Sequence, residues 1–324
     1  MKISIPETSQ LLKDKDNILL LAHTHPDGDT LGSSYALCRA LTGQGKKANV
    51  VCDDEIPKVL KFMTVGVEPL LFEPEFIIAV DTANVKMLGD KTRTLYASKI
   101  DLCIDHHISN SFFAERTLLD DTAAATAEIV FRLLTEMRID ITPAIADCLY
   151  TGISTDSGCF RYSNITSDTL RTAAELIDLG ADFARLNKVL FETKSKSFAA
   201  LERVALNSIE LHFGGLCAFL AVTKEMFEQS GSNDEEFDRI SAMPRQIEDV
   251  LVGAALREQK DGTFKVSVRT NPPMNASEIC SLMGGGGHVN AAGCTLDGTL
   301  PEAKEKLLKN IEEALIREKK LGVS

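Results

Sequence analysis

The chain has no Cys-x-x-Cys pair, no long apolar run and no excess of basic residues, and each absence removes a class of protein. Its eight cysteines stand at 38, 52, 103, 148, 159, 217, 280 and 294, too scattered for a disulfide scaffold or a structural zinc site. Reduced thiols in a cytoplasmic protein are the expected state. No stretch approaches the ~18 consecutive apolar residues of a membrane span, and the opening MKISIPETSQLLKD lacks the apolar core of a signal peptide. There are 35 Lys and Arg against 47 Asp and Glu, a net charge of −12. A protein that coats long nucleic acid needs a broad basic footprint, which this balance does not supply. A small phosphorylated substrate remains compatible with it, provided a metal or a local basic cluster offsets the charge. What is present is 324 residues, 44% of them apolar, an ordinary soluble composition. At roughly 100–200 residues per domain, that length suggests two domains.

The apolar run Ile18–Leu21 leads into a His- and Asp-rich loop and then a helical pattern from Leu31 to about Leu41. A buried parallel strand followed by a helix has this form. The unit recurs: Ala48–Cys52, Phe76–Val80 and Leu102–Ile104 are further candidate strands, the last two running into Asp81 and Asp105. Helical patterns cover Ala123–Met137, Pro143–Ile153 and Ser167–Leu179, the last with Ser167 as N-cap and Gly180 as a stop signal. The alternation predicts an α/β domain over residues 1–183, built on a doubly wound parallel sheet. Ligands of such sheets collect beyond the carboxyl ends of the strands, where the acidic residues here lie. Residues 184–207 read as a connecting helix. The remainder, 208–324, shows longer strands at Ser208–Phe213, Leu216–Thr223, Val250–Arg257 and Phe264–Thr270. Asp261-Gly262 marks a hairpin turn between the last two, and Pro301–Lys319 is a charged amphipathic helix. The expectation is a smaller mixed α/β domain.

The segment His23-Thr24-His25-Pro26-Asp27-Gly28-Asp29 leaves a buried strand and is crowded with groups able to bind a cation. Clustered carboxylates raise one another's pKa, so such a cluster usually has a counter-cation. A mixture of imidazole and carboxylate suits manganese, iron or zinc better than calcium. Taken alone, Asp27 and Asp29 serve equally well as turn formers around Gly28. Asp81, Asp105-His106-His107 and Asp156 shift the balance, because all lie at the ends of successive elements along one sheet edge. They supply ligand types for two adjacent metals, the arrangement that stabilises both attacking and leaving oxygens in phosphoryl displacement.

HTHPDGDTLGSS, VDTAN, DHH and TDSGCFRY, in this order, resemble the four motifs of the DHH phosphoesterase superfamily. VSVRTNPPMNASEICSLMGGGGHVNAAG resembles the glycine-rich element of the DHH-associated substrate-binding domain, so the likeness spans nearly the whole chain. Length and the GGGGHxNAAG form are most similar to the branch of nanoRNases and 3′-phosphoadenosine-5′-phosphate (pAp) phosphatases. The resemblance implies that His23, Asp27 and Asp81 hold one divalent ion. Asp29, Asp81, His106 and Asp156 would hold the other, Asp81 bridging, with manganese the expected metal. It implies that His107 faces the scissile phosphate while Asp105 orients its neighbours, and that His25 and Arg161 contact substrate. Gly285, Gly286 and Gly287 would let backbone N–H groups approach an anion, with His288 and Arg269 adding charge-assisted bonds.

The implied substrates are short RNA oligonucleotides, cleaved to mononucleotides, and pAp, cleaved to AMP and phosphate. The expected partners are those small nucleotides and a second copy of the chain, with neither long duplex nucleic acid nor a membrane. Three alternatives within the superfamily are a single-strand DNA exonuclease, an inorganic pyrophosphatase and a stand-alone cyclic di-AMP phosphodiesterase or pApA hydrolase. The first needs extra domains for which the chain has no room, the second a different second domain; the third stays open. A nucleotide sensor without turnover is disfavoured, because every expected ligand position keeps a competent side chain. Arg245 reads either as a solvated helix charge or as a residue lining a cleft.

Overall fold

The computed structural model describes residues 1–320, apart from the side chains at 234, 235 and 238. The chain divides into two compact units, Met1–Thr193 and the part from Lys194 onward. The first contains α1 (Ile5–Lys13), β1 (Ile18–Leu21), α2 (Gly28–Gly43), β2 (Ala48–Val51), β3 (Phe76–Val80), α3 (Asp90–Tyr96), β4 (Leu102–Asp105), β5 (Arg116–Leu119), α4 (Thr126–Glu136), α5 (Pro143–Asp156), α6 (Ser167–Asp178) and α7 (Phe183–Asn187). Its sheet runs β2-β1-β3-β4-β5, every pair parallel. β1, β3 and β4 are buried along their whole length, which is why they appear in sequence as unbroken apolar runs. One face packs against helices through Leu31, Leu37, Val130, Leu134, Leu149 and Ile153; Leu19, Ile77, Leu88 and Ile100 cover the other.

The strand order reverses between β1 and β3, so the crevice where the fold binds ligands opens at their carboxyl ends. Two helices reach that edge because they pack almost backbone to backbone. A Cβ on Gly32 of α2 would come within 2.4 Å of the Cys148 carbonyl oxygen on α5. One on Gly152 of α5 would lie 2.6 Å from Ala127 Cβ and 2.8 Å from Asp29 Oδ1. Absent side chains at these positions let the start of α2, the start of α4 and the end of α5 converge.

The second unit contains α8 (Lys196–Asn207), β6 (Glu210–His212), β7 (Cys217–Val222), α9 (Lys224–Ser230), α10 (Asp234–Ile240), β8 (Val252–Glu258), β9 (Phe264–Thr270), α11 (Ala276–Ser281), β10 (Gly286–His288), β11 (Ala291–Leu296) and α12 (Leu300–Arg317). The sheet order is β10-β11-β9-β8-β7-β6; β7 and β8 are parallel and every other pair is antiparallel. Val252, Val266 and Val268 on one face meet Leu307, Ile311 and Leu315 of α12. Leu220, Val222 and Ala255 on the other meet Phe198 and Leu201 of α8 and Phe237 of α10.

One expectation changes. The helix expected over 184–207 is interrupted: α7 passes into a π-helical turn, Lys188–Glu192, and the backbone is extended at Thr193. Ser195 then starts α8 afresh, its hydroxyl accepting from the Phe198 amide at 2.8 Å, a stronger local signal than continued helix propensity. Gly286, Gly287 and His288 form a short edge strand, β10.

Candidate metal centre

The loop after β1 turns sharply into α2. His23 is buried, and Asp27 caps the helix, its Oδ1 accepting from the amides of Asp29 and Thr30 at 3.0 Å each. Asp29 follows in the first turn and is fully buried. Asp81 follows β3 with a φ of 55°, a left-handed conformation costly for a residue with a side chain. Its amide donates to the Ile104 carbonyl at 2.8 Å, which pins that geometry. Asp105 closes β4, His106 and His107 follow it, and Asp156 is the last residue of α5.

These side chains meet. His23, Asp27 and Asp81 offer ligand atoms within 4.8 Å of one another, and so do Asp29, His106 and Asp156. Both imidazoles are oriented by a carbonyl: His23 Nδ1 donates to Thr24 O at 2.7 Å and His106 Nδ1 to Ala123 O at 3.2 Å. A carbonyl only accepts, so each ring holds its proton on Nδ1 and turns Nε2 to the cluster. His23 Nε2 lies 3.8 Å from Asp27 Oδ1 and 3.5 Å from Asp81 Oδ2. His106 Nε2 lies 3.7 Å from Asp81 Oδ1, 3.9 Å from Asp29 Oδ2 and 3.4 Å from Asp156 Oδ2. These separations are long for direct hydrogen bonds and leave room for a cation between donors. Asp81 directs one oxygen to each imidazole.

The electrostatics show the same demand for positive charge. Complete burial, and then the charges of Asp81, Asp156 and Asp27, push Asp29 well above the ordinary carboxylate range. Burial raises Asp156 to about 6, with Asp81 and Asp27 adding to it and His106 opposing. Burial would raise Asp81 too, but the surrounding imidazoles of His23, His106 and His107 hold it below its usual value. His107 differs in its partner. Its Nδ1 donates to Asp105 Oδ1 at 2.7 Å, which lifts the imidazole to about 9 against the effect of burial. Asp105 is fully buried and occupied by this bond, so His107 is oriented as a charged group beside the cluster.

Residues 17–153 match the model of the DHH family, N-terminal domain, and residues 216–317 that of the DHHA1 domain. A bifunctional oligoribonuclease and PAP phosphatase NrnA of Thermus thermophilus is 36% identical over 307 residues, covering 93% of this chain and 90% of that protein. The chain belongs to the DHH family. Another relative, the cyclic-di-AMP phosphodiesterase GdpP of Geobacillus thermodenitrificans, is 25% identical over 94% of this chain but only 48% of its own length. Among solved structures, an exopolyphosphatase-related protein from Bacteroides fragilis superposes with a TM-score of 0.86 at 27% identity, with 95% of each chain covered.

Within this DHH chain not every expected residue joins the cluster. His25 has a φ of 51° and a side chain 96% exposed, and its amide donates to Asp54 Oδ2 at 2.7 Å. It is no part of either ligand group among the described residues. Arg161 is exposed, and its Nε donates to the Gly158 carbonyl at 2.6 Å. Arg269, Gly285, Gly286, Gly287 and His288 belong to the second unit. Two residues were not anticipated. Thr126 Oγ1 donates to Asp81 Oδ1 at 2.8 Å, and Asn110 Nδ2 donates to Asp105 Oδ2 at 2.6 Å. Thr126 sits among alanines and Asn110 in a polar loop, so nothing in their local sequence distinguishes them from a helix start and a turn residue.

Proposed function

We propose that this DHH protein is a cytoplasmic dimetal phosphoesterase that degrades short oligoribonucleotides to mononucleotides and converts pAp to AMP and phosphate. The observation that carries it is the placement of Asp81 between two imidazoles whose Nε2 atoms both face inward. The similarity to the Thermus thermophilus oligoribonuclease and PAP phosphatase supports the choice of substrates. His23, Asp27 and Asp81 would hold one ion and Asp29, Asp81, His106 and Asp156 the other; this donor set suits manganese. When bound, such ions neutralise charge on the phosphate and make an attacking water acidic enough to react near neutral pH.

The chain's own residues then divide the work. Thr126 fixes the carboxylate plane of Asp81 so that each oxygen keeps its side. Asn110 holds Asp105, Asp105 holds His107 Nδ1, and His107 presents Nε2 to phosphate oxygens as a proton donor and positive charge. Catalysis belongs to the first unit. The second unit, through Arg269, Gly285, Gly286, Gly287 and His288, grips the part of the substrate that is not cleaved.

The test is product analysis of the manganese-loaded protein with pAp, pApA, cyclic di-AMP and RNA of two to five nucleotides. Release of AMP and 5′-mononucleotides with the highest kcat/KM on pAp and the short RNAs is expected. Turnover confined to cyclic di-AMP would replace this reading with the phosphodiesterase one, and binding without turnover would make the protein a sensor.

A further inference from the structure

Arg245 is not a solvated helix charge. It lies in a single 3₁₀ turn, Pro244–Gln246, seated directly on β8. A Cβ on Gly253 would come within 2.5 Å of the Arg245 nitrogen and 2.9 Å of its Cα, so only glycine lets the turn sit this close. Gly253 pairs across the sheet with Arg269, Arg269 with Ala291, and Ala291 with His288. Directly paired residues project from the same face of a sheet. Gly253, Arg269, Ala291 and His288 therefore form one row, and Arg245 stands on that face at its end. Their sequence neighbours Val252, Val268 and Ala292 point the other way, into the core against α12.

The side chain is tied to Asn271, just past the end of β9. Arg245 Nη1 donates to Asn271 Oδ1 at 3.2 Å, and Asn271, two residues beyond Arg269, is itself anchored by donating to the carbonyls of Val250 at 2.8 Å and Arg245 at 3.3 Å. A neutral amide thus fixes the guanidinium without neutralising it. Among the described residues its Nε–H is buried without a partner, which costs stability. Between the cations the floor is low: Ala291, Gly293 and Ser267 occupy the row and the adjoining one, and a Cβ on Gly286 would meet nothing within 4 Å. Arg245 packs on the β8 position of the row, Arg269 holds its β9 position and His288 its β10 position, with Ala291 between the last two.

We propose that Arg245 is a substrate-binding residue that recognises a phosphate other than the one cleaved, and so sets a preference for nucleotides carrying a second phosphate. This rests on the functional reading above, with Arg269 and His288 holding the same substrate. Guanidinium matches phosphate through paired N–H donors, and a dianionic terminal phosphate offsets the repulsion between two arginines on one face. The phosphate read is the terminal group that pApA has and ApA lacks.

The experiment compares kcat/KM on pApA and on ApA for wild type, Arg245→Gln, Arg245→Lys and Arg269→Gln. Arg245→Gln is expected to lower the value for pApA by about tenfold or more, through KM, and that for ApA by less than about threefold. Arg245→Lys should recover part of the pApA loss, and Gly253→Ala, which displaces the turn, should reproduce the substrate-selective defect. A merely structural role would lower the melting temperature and reduce both substrates by the same factor; that result overturns the proposal. If wild type hydrolyses neither compound, the functional reading fails by itself. Calorimetric titration with pApA and ApA then decides Arg245 separately: a wild-type preference for pApA lost in Arg245→Gln upholds the proposal, and equal affinities in both proteins overturn it.

Discussion

Asp81 holds an unfavourable backbone conformation, an amide bond to β4 and a hydroxyl bond from Thr126, all of which serve to aim two carboxylate oxygens in different directions. Backbone strain of this kind persists where function over-determines it. Asp81→Asn keeps the shape and removes the shared charge. It should lower bound manganese from about two ions per chain to one or none and reduce turnover by roughly 10³-fold or more. Elemental analysis beside a rate assay measures both, and full occupancy with a near-normal rate would refute the shared-ligand assignment. Asp156 offers a test without substrate. Its carboxyl group titrates at about 6 in the fold, above its ordinary value near 4. A carboxylate so raised weakens the metal-free fold above the folded pKa, and the penalty disappears as pH falls toward the unfolded value. Asp156→Asn should therefore stabilise the metal-free protein at pH 7–8, by on the order of 1–2 kcal/mol, and make no difference near pH 4. With manganese present the order should reverse, because wild type gains more from binding. Thermal melts with chelator and with metal follow both changes. The Asp and His residues that meet in the cluster were legible because such residues at strand ends are chemically conspicuous. Thr126 and Asn110 were not, since their roles come from partners 45 and five positions away.

At the scale of elements, β1, β3 and β4 could be recognised because burial on both faces demands uninterrupted apolar residues. α1 was not read from the sequence, although Ser4 and Glu7 form a reciprocal capping box at its start with Pro6 in the first turn. β10 was not visible. Gly286-Gly287-His288 has no side-chain alternation, and its pairing is decided by β11. The glycines at 285, 286 and 287 separate into two kinds. At Gly285 a Cβ would meet the Gly293 oxygen at 2.2 Å and Cys294 Cβ at 2.4 Å, and at Gly287 it would meet the Ala291 oxygen at 2.5 Å. Gly286 has open space around the same position. Alanine at Gly285 or Gly287 should lower the melting temperature by several degrees, as overpacking of about 1–3 kcal/mol does. Gly286→Ala should leave the melt unchanged and raise KM several-fold if a nucleotide lies against that strand. Equal thermal losses for all three would assign the whole run to packing.

For the molecule as a whole, a net charge of −12 offers no extended track for a polyanion. Each nucleotide beyond those gripped adds repulsion without adding a contact. On a ladder of 5′-labelled RNA with manganese, rates should be highest from two to about five nucleotides and fall steadily up to about 24. Raising the salt concentration should narrow that difference by screening the repulsion. Faster, processive loss of the longest RNA would point instead to an exonuclease for long strands. The parallel sheet of the first unit followed from sequence periodicity, whereas the break between α7 and α8 depended on one serine cap. The packing also acts outside the cluster of Asp and His side chains. Ala125 gives α4 no cap of its own, and Asp29 supplies it from α2, accepting from the amides of Thr126 at 2.7 Å and Ala127 at 2.9 Å. Of these two oxygens Oδ2 faces the cluster, 3.9 Å from His106 Nε2, so electron density drawn from the carboxylate toward a cation is withdrawn from those peptide protons. Their exchange with deuterated water is thus a label-free gauge of metal loading, written into the start of a core helix.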